Sequence, residues 1–144
     1  MSIQEVLNNI KYVAWHNIEV LQEGPGAVTV FLPARDDLVN YVGTGHAGAI
    51  YTLAETAAGV AADSVAQTID AFILLRDAQV HYTRRAEGDL TAKGLVEIEA
   101  SEQAQAVFRD ERRVNMPVQV DIRDEQDQSV FQGTFNYALR PRNR

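Results

Sequence analysis

None of the 144 residues is a cysteine, which excludes disulfides, thiolate metal sites and a cysteine nucleophile. Basic residues are also in short supply: 13 Lys and Arg stand against 20 Asp and Glu, a formal net charge of −7. Neutralising a run of phosphates needs clustered cations, so nucleic acid and anionic membrane surfaces are poor partners. No apolar run approaches the roughly 20 residues needed to cross a bilayer. The opening Met1-Ser2-Ile3-Gln4-Glu5 has neither the basic nor the apolar region of a signal peptide, so the expected home is the cytoplasm. A Gly-x-Ser-x-Gly elbow is missing, and with it visible support for a serine triad. His16, His46 and His81 are scattered among unrelated segments without clustered carboxylates, and no metal is expected.

What is present suits one globular domain over 1–144. Hydrophobic residues make up 46% of the chain, enough for an ordinary core, and no internal repeat, low-complexity tract or linker divides it. Residues 2–15 predict an opening helix, with Ser2 and Glu5 as a capping box and Ile3, Val6, Leu7, Ile10 and Val13 at helical spacing. Residues 16–22 and 27–32 alternate as a β-hairpin around Glu23-Gly24-Pro25-Gly26, and 34–45 reads as a loop.

From His46 to Ala62 the composition shifts to Ala and Gly with a few large apolar residues, as in a helix packed too closely for bulk. At 100° per residue, Ile50, Leu53, Ala57, Val60 and Ala61 form one stripe. Glu55 falls roughly 140° from its centre, beside Gly48, Tyr51 and Gly59. After Gln67 the pattern predicts strands over 71–84, 90–100, 114–123 and 129–139, with a short helical turn within 101–109 and a frayed tail of Arg140, Pro141, Arg142 and Arg144. The expected class is α+β: a long antiparallel sheet wrapped around one buried helix, with an additional N-terminal helix.

Two segments carry a resemblance. The first runs from Asn40-Tyr41-Val42-Gly43-Thr44-Gly45-His46-Ala47-Gly48 to Glu55-Thr56-Ala57, with a carboxylate nine residues after the His. The second is Tyr82-Thr83-Arg84-Arg85-Ala86-Glu87-Gly88-Asp89-Leu90. Together they resemble the hotdog-fold thioesterase superfamily, in particular the acyl-CoA thioesterases of the phenylacetate pathway type (PaaI-like), and the element order over 16–140 agrees. The opening helix lies outside the shared pattern. Ala47 stands where the family usually has Gly, Arg85 where it often has Pro, and Glu55 where many members have Asp.

The resemblance implies an acyl-CoA thioesterase with no cofactor beyond the coenzyme A of its substrate. Glu55 would attack the thioester carbonyl or activate water; otherwise it pairs with an Arg or faces solvent. Ala47, at the helix start, would offer a backbone N–H to the oxyanion, a donor that the Gly-to-Ala change preserves; the alternative is plain tight packing. Asn40 would orient or polarise the carbonyl, or else serve its turn. His46 is read chiefly as a cap or anchor for the loop, with general base as the other reading. Arg84 and Arg85 at the matched turn, or as second choice Arg112 and Arg113, would meet the coenzyme's phosphates or simply be solvated. Tyr51 and the small Gly48 would border the acyl group.

Ala47 and Glu55 are eight residues apart, about 12 Å along one helix, too far to act on one carbonyl within a single chain. If both act, two chains must share each site, which implies a homodimer joined along 71–84 and open to pairing into tetramers. A non-catalytic acyl-CoA-binding or regulatory protein on the same fold, and a hydratase or dehydratase pairing a His with a carboxylate, are the alternatives.

Overall fold

The structure is a computed structural model that describes residues 1–142. Six antiparallel strands form one sheet in the order β1-β2-β4-β5-β6-β3. They are β1 (Glu19–Gly24), β2 (Ala27–Leu32), β3 (Ala71–Tyr82), β4 (Leu90–Leu95), β5 (Val114–Arg123) and β6 (Ser129–Pro141). The sheet packs on a single 21-residue helix, α3 (Ala47–Gln67). No helix among the described residues is long and apolar enough to cross a membrane.

The N-terminal segment is two helices, α1 (Ile3–Asn9) and α2 (Lys11–Ala14), in place of the expected single one. Ser2 and Glu5 do form the capping box. The break falls at Ile10, whose backbone is extended (φ −91, ψ 99), and the reason is geometric. Leu7 and Val13 are both buried, yet six residues on a continuous helix set them roughly 120° apart. Interrupting the helix lets both reach the core. Gln4 then fastens α1 to the hairpin, donating to the Ile18 carbonyl at 3.0 Å and accepting from Val20 N–H at 2.8 Å.

Between β1 and β2 the two turn residues are Pro25 and Gly26, with Gly26 at φ 70, a conformation that favours glycine. Its N–H donates to Ser64 Oγ on α3 at 2.8 Å. The predicted loop holds one 3-10 turn (Asp36–Leu38) and a single bridge between Val39 and Gly45. Helix α3 outruns its predicted end at Ala62 because Ala61, Ala62, Val65 and Ala66 keep its buried face going to the last turn.

The largest correction lies in 90–113. The expected strand over 90–100 ends at Leu95, and the short turn expected within 101–109 is a full helix, α4 (Ile98–Glu111). Its Ala, Glu and Gln are strong helix formers, and Ala104 and Phe108, one turn apart, are buried where it packs on β5. The tail is corrected as well. Arg140 and Pro141 pair with Phe72 and Ala71 in the sheet, and Arg142 N–H donates to the Asp70 carbonyl; Arg144 lies outside the described residues. Strand β3 stops at Tyr82, two residues short of the predicted Arg84.

The small residues of α3 let helix and sheet touch backbone to backbone. A Cβ placed on Gly94 of β4 would stand 2.5 Å from the Ala57 carbonyl oxygen and 2.8 Å from its carbon. Main chain cannot give way as a side-chain tip can, so overpacking reaches the upper end of its usual range. Gly94→Val is expected to cost about 3 kcal/mol or more, read as a fall of roughly 10 °C in Tm. Gly24→Ala, where an added Cβ meets nothing within 4 Å, is the control expected to melt with the native chain. A Gly94→Val protein as stable as the control would contradict this seating of the helix.

Candidate active site

Helix α3 begins at a cap made by His46, whose Nδ1 accepts from Gly48 N–H at 2.8 Å. This is the loop-anchoring role read from the sequence, and it requires an unprotonated Nδ1. Gly48 has a steric part in it, since an added Cβ would lie 3.1 Å from that nitrogen. The Gly48 donor is thereby spent. Among the described residues nothing accepts from Ala47 N–H, and Ala47 is exposed. An unpaired amide at the first turn of a 21-residue helix is an anion-seeking donor. The Ala47 carbonyl accepts from the Tyr82 hydroxyl at 2.9 Å, which ties the helix start to the end of β3.

Asn40 is engaged entirely within its own loop. Its Oδ1 accepts from Val42 N–H (3.0 Å) and Thr44 N–H (3.1 Å), and its Nδ2 donates to Thr44 Oγ1 (3.0 Å) and the Gly45 carbonyl (3.4 Å). Both ends of the amide thus build the turn that delivers Gly45 to His46. Gly45 N–H donates to the Ala86 carbonyl at 2.7 Å, and an added Cβ there would crowd Ala86 at 3.1 Å, so the two sequence motifs abut. Arg84 and Arg85 stand beside them, exposed, on a groove shared with Glu87, Asp124 and Glu125.

Arg112 and Arg113 are elsewhere. They precede Val114, and the basic turn faces the Arg123 end of β5, because Arg123 pairs with Thr91 just after that turn. Nine residues of strand, about 30 Å, separate the two ends. Arg112 and Arg113 form a second, separate basic pair; Arg112 caps α4 in the left-handed region (φ 61) with its guanidinium over the Phe108 ring.

Glu55 sits two turns into α3, partly buried, and its partner is Tyr137 of β6. The Tyr137 hydroxyl donates to Glu55 Oε2 at 2.7 Å and approaches the Glu55 carbonyl at 3.2 Å. No ion pair to Glu55 occurs among the described residues. Tyr137 is 1% exposed. Burial first, and then the neighbouring Glu55 charge, hold its phenol far above the ordinary tyrosine range, so it stays a donor. Tyr51, one turn before Glu55, stacks at a tilt on Phe135, and its phenol is raised by burial and then by Glu55. Tyr82 is raised by burial and then by Tyr51. Two protonated phenols, those of Tyr137 and Tyr51, therefore stand by the Glu55 carboxylate. Among the described residues no group of three or more His, Asp and Glu could hold a metal ion.

The sequence reading did not single out Tyr137, although a signal existed. Tyr137 belongs to the core-facing alternation Phe131, Phe135, Tyr137, Leu139, and a tyrosine in such a position needs a partner for its hydroxyl. Only the sheet's wrap around α3 shows that the partner is Glu55. Tyr137→Phe is expected to lower turnover about tenfold or more through loss of carboxylate orientation, with KM within about twofold. A variant that melts lower yet turns over normally would show that the bond is structural only.

Residues 5–139 match the family described as a domain of unknown function, DUF4442, and the chain belongs to that family. No curated protein matches it. Among solved structures, the Pseudomonas aeruginosa protein PA5026, described as of unknown function and a probable thioesterase, superposes with a TM-score of 0.87 at 20% identity, covering 97% of this chain and 94% of that one. The Escherichia coli PaaI protein of the phenylacetic acid degradation operon gives 0.74 at 16% identity over 92% and 86%. A Streptococcus pneumoniae hypothetical thioesterase crystallised with coenzyme A gives 0.70 at 20% identity over 89% of each chain. The fold is the hotdog fold that these solved structures share.

Proposed function

We propose that the chain is an acyl-CoA thioesterase whose sites are shared between two copies. The observation that carries this reading is the split of chemistry along α3. An exposed, unpaired Ala47 amide stands at its start and a Tyr137-held Glu55 eight residues later, about 12 Å apart. Each is half of what thioester hydrolysis needs: a donor for the developing oxyanion and a carboxylate to act on water or on the carbonyl carbon. A two-fold pairing along β3, whose outer edge has no strand beside it among the described residues, would set the Ala47 of one copy against the Glu55 of the other. Exposed Leu74 on that strand favours such burial.

In this reading the Ala47 N–H polarises the thioester carbonyl. Glu55 takes a proton from the attacking water, the C–S bond breaks, and the proton passes to the leaving thiolate, giving acid and free coenzyme A; direct attack by Glu55 followed by hydrolysis has the same balance. Asn40 acts by shaping the loop that aims Ala47. Arg84 and Arg85, next to that loop, meet the coenzyme's phosphates. The coenzyme A held by the Streptococcus pneumoniae relative supports the choice of carrier. The test is steady-state hydrolysis over acyl-CoAs from acetyl to palmitoyl and phenylacetyl, followed by thiol release. Turnover above background is expected, and none for any substrate would overturn the reading.

A further inference from the structure

The N-terminal helices α1 and α2 roof a cavity of about 460 Å³ against α3, within the size range of small-molecule sites. Ile3, Val6, Ile10 and Val13 form one wall, and Gly59 and Val60 of α3 the other. Val6 and Ile10 remain 39% and 47% exposed, apolar surface that the chain itself does not cover. The two ends of the cavity differ. Glu55 and Thr56 stand at one, while Asp63 and Gln67, joined at 2.9 Å, stand with Arg142 at the other.

Thr56 adds an independent sign of a ligand. Its residue is 4% exposed, and its hydroxyl has no hydrogen-bond partner among the described residues. Thr52, one turn earlier, donates to the Gly48 carbonyl at 2.9 Å in the ordinary helical way. Buried hydroxyls are nearly always paired, so the orphan Thr56 hydroxyl, in a residue that lines the cavity next to the candidate catalytic carboxylate, is a donor left unsatisfied at that end.

We infer that this cavity is the acyl-chain site, with the N-terminal helices as its roof and Asp63 with Gln67 as the stop that limits chain length. The inference rests on the thioesterase reading for its head group, since the chain starts at Glu55 where the thioester would be cleaved. Thr56 donates to an oxygen at the acyl head, and the apolar walls take the alkyl chain. From Glu55 to Asp63 is eight residues, about 12 Å of helix. An extended chain advances about 1.2 Å per bond, so the walls hold about ten carbons, a medium-chain acyl group. A longer chain would have to desolvate Asp63 and Gln67.

The experiment is a chain-length profile of kcat/KM from butyryl- to palmitoyl-CoA for the native chain, Ile10→Trp and Asp63→Leu. The native profile should peak near decanoyl and fall at least tenfold by palmitoyl. Ile10→Trp, at a half-exposed position that tolerates bulk, should lower the decanoyl-to-butyryl ratio at least tenfold. Asp63→Leu should move the peak to longer chains, a gain that misfolding cannot mimic. Thr56→Val should depress all lengths alike. Profiles unchanged in both Ile10→Trp and Asp63→Leu would overturn the inference. If no acyl-CoA is hydrolysed, calorimetry with decanoic acid reads the cavity directly. Binding weakened at least tenfold by Ile10→Trp would support the site, and no binding would refute it. Ile10→Trp disrupting self-association while the profile stays native would assign the cavity to a second copy and also refute it.

Discussion

Glu55→Gln should reduce kcat on the best acyl-CoA by about 10³-fold, within the range lost when a positioned acid–base group is removed, and leave the melting temperature near that of the native chain. The asymmetry follows from the local bonds. The amide oxygen of Gln can accept from the Tyr137 hydroxyl as Glu55 Oε2 does at 2.7 Å, so the buried phenol keeps its partner. Glu55 is only partly buried, so the amide nitrogen can be hydrated. What the substitution removes is the ability to take a proton or to attack carbon. Glu55→Ala is a poorer test, because it strips the 2.7 Å partner from a tyrosine that is 1% exposed and mixes a stability defect into the kinetics. Retention of more than a tenth of native activity by Glu55→Gln would remove Glu55 from the chemistry.

The placement of Glu55 was legible because a helical wheel needs only sequence. Of the stripe, Ile50, Leu53, Ala57 and Ala61 are buried and Val60 is partly so, and Glu55 stands off it. The alternation in β5 and β6 was equally readable, with Val118, Val120, Ile122, Phe131, Phe135 and Leu139 all buried. Helix α4 was not, since Leu90 to Ala100 carries enough β-branched residues to extend a strand on paper. What stops it is tertiary: Val96 N–H donates to the Gly26 carbonyl across the hairpin, and the chain then turns into an Ala-rich amphipathic run. The site was half readable for the same reason. The resemblance singled out Asn40, Ala47 and Glu55 as candidates, whereas the Tyr137 bond, the closure of the Asn40 amide on its own loop and the orphan Thr56 hydroxyl depend on which elements the fold brings together.

Ala47→Pro should lower kcat about 10²- to 10³-fold, the usual loss for one oxyanion donor, without unfolding the helix. Proline is welcome at the first helical position, where its missing N–H had no intrahelical acceptor. The residue before it must be extended, and His46 already is, at φ −69 and ψ 135. The substitution therefore deletes one hydrogen-bond donor with little else disturbed. Combined with Glu55→Gln it tests whether sites are shared. In a dimer of one Ala47→Pro chain and one Glu55→Gln chain, the first site has lost both groups and the second has kept both, the Glu55 of one chain facing the Ala47 amide of the other. Refolding the two inactive proteins together as an equal mixture gives hybrids in half of the dimers. Each hybrid has one intact site of two, so about a quarter of native activity should return. A site contained within a single chain leaves every combination defective, and the mixture would stay as inactive as its parts.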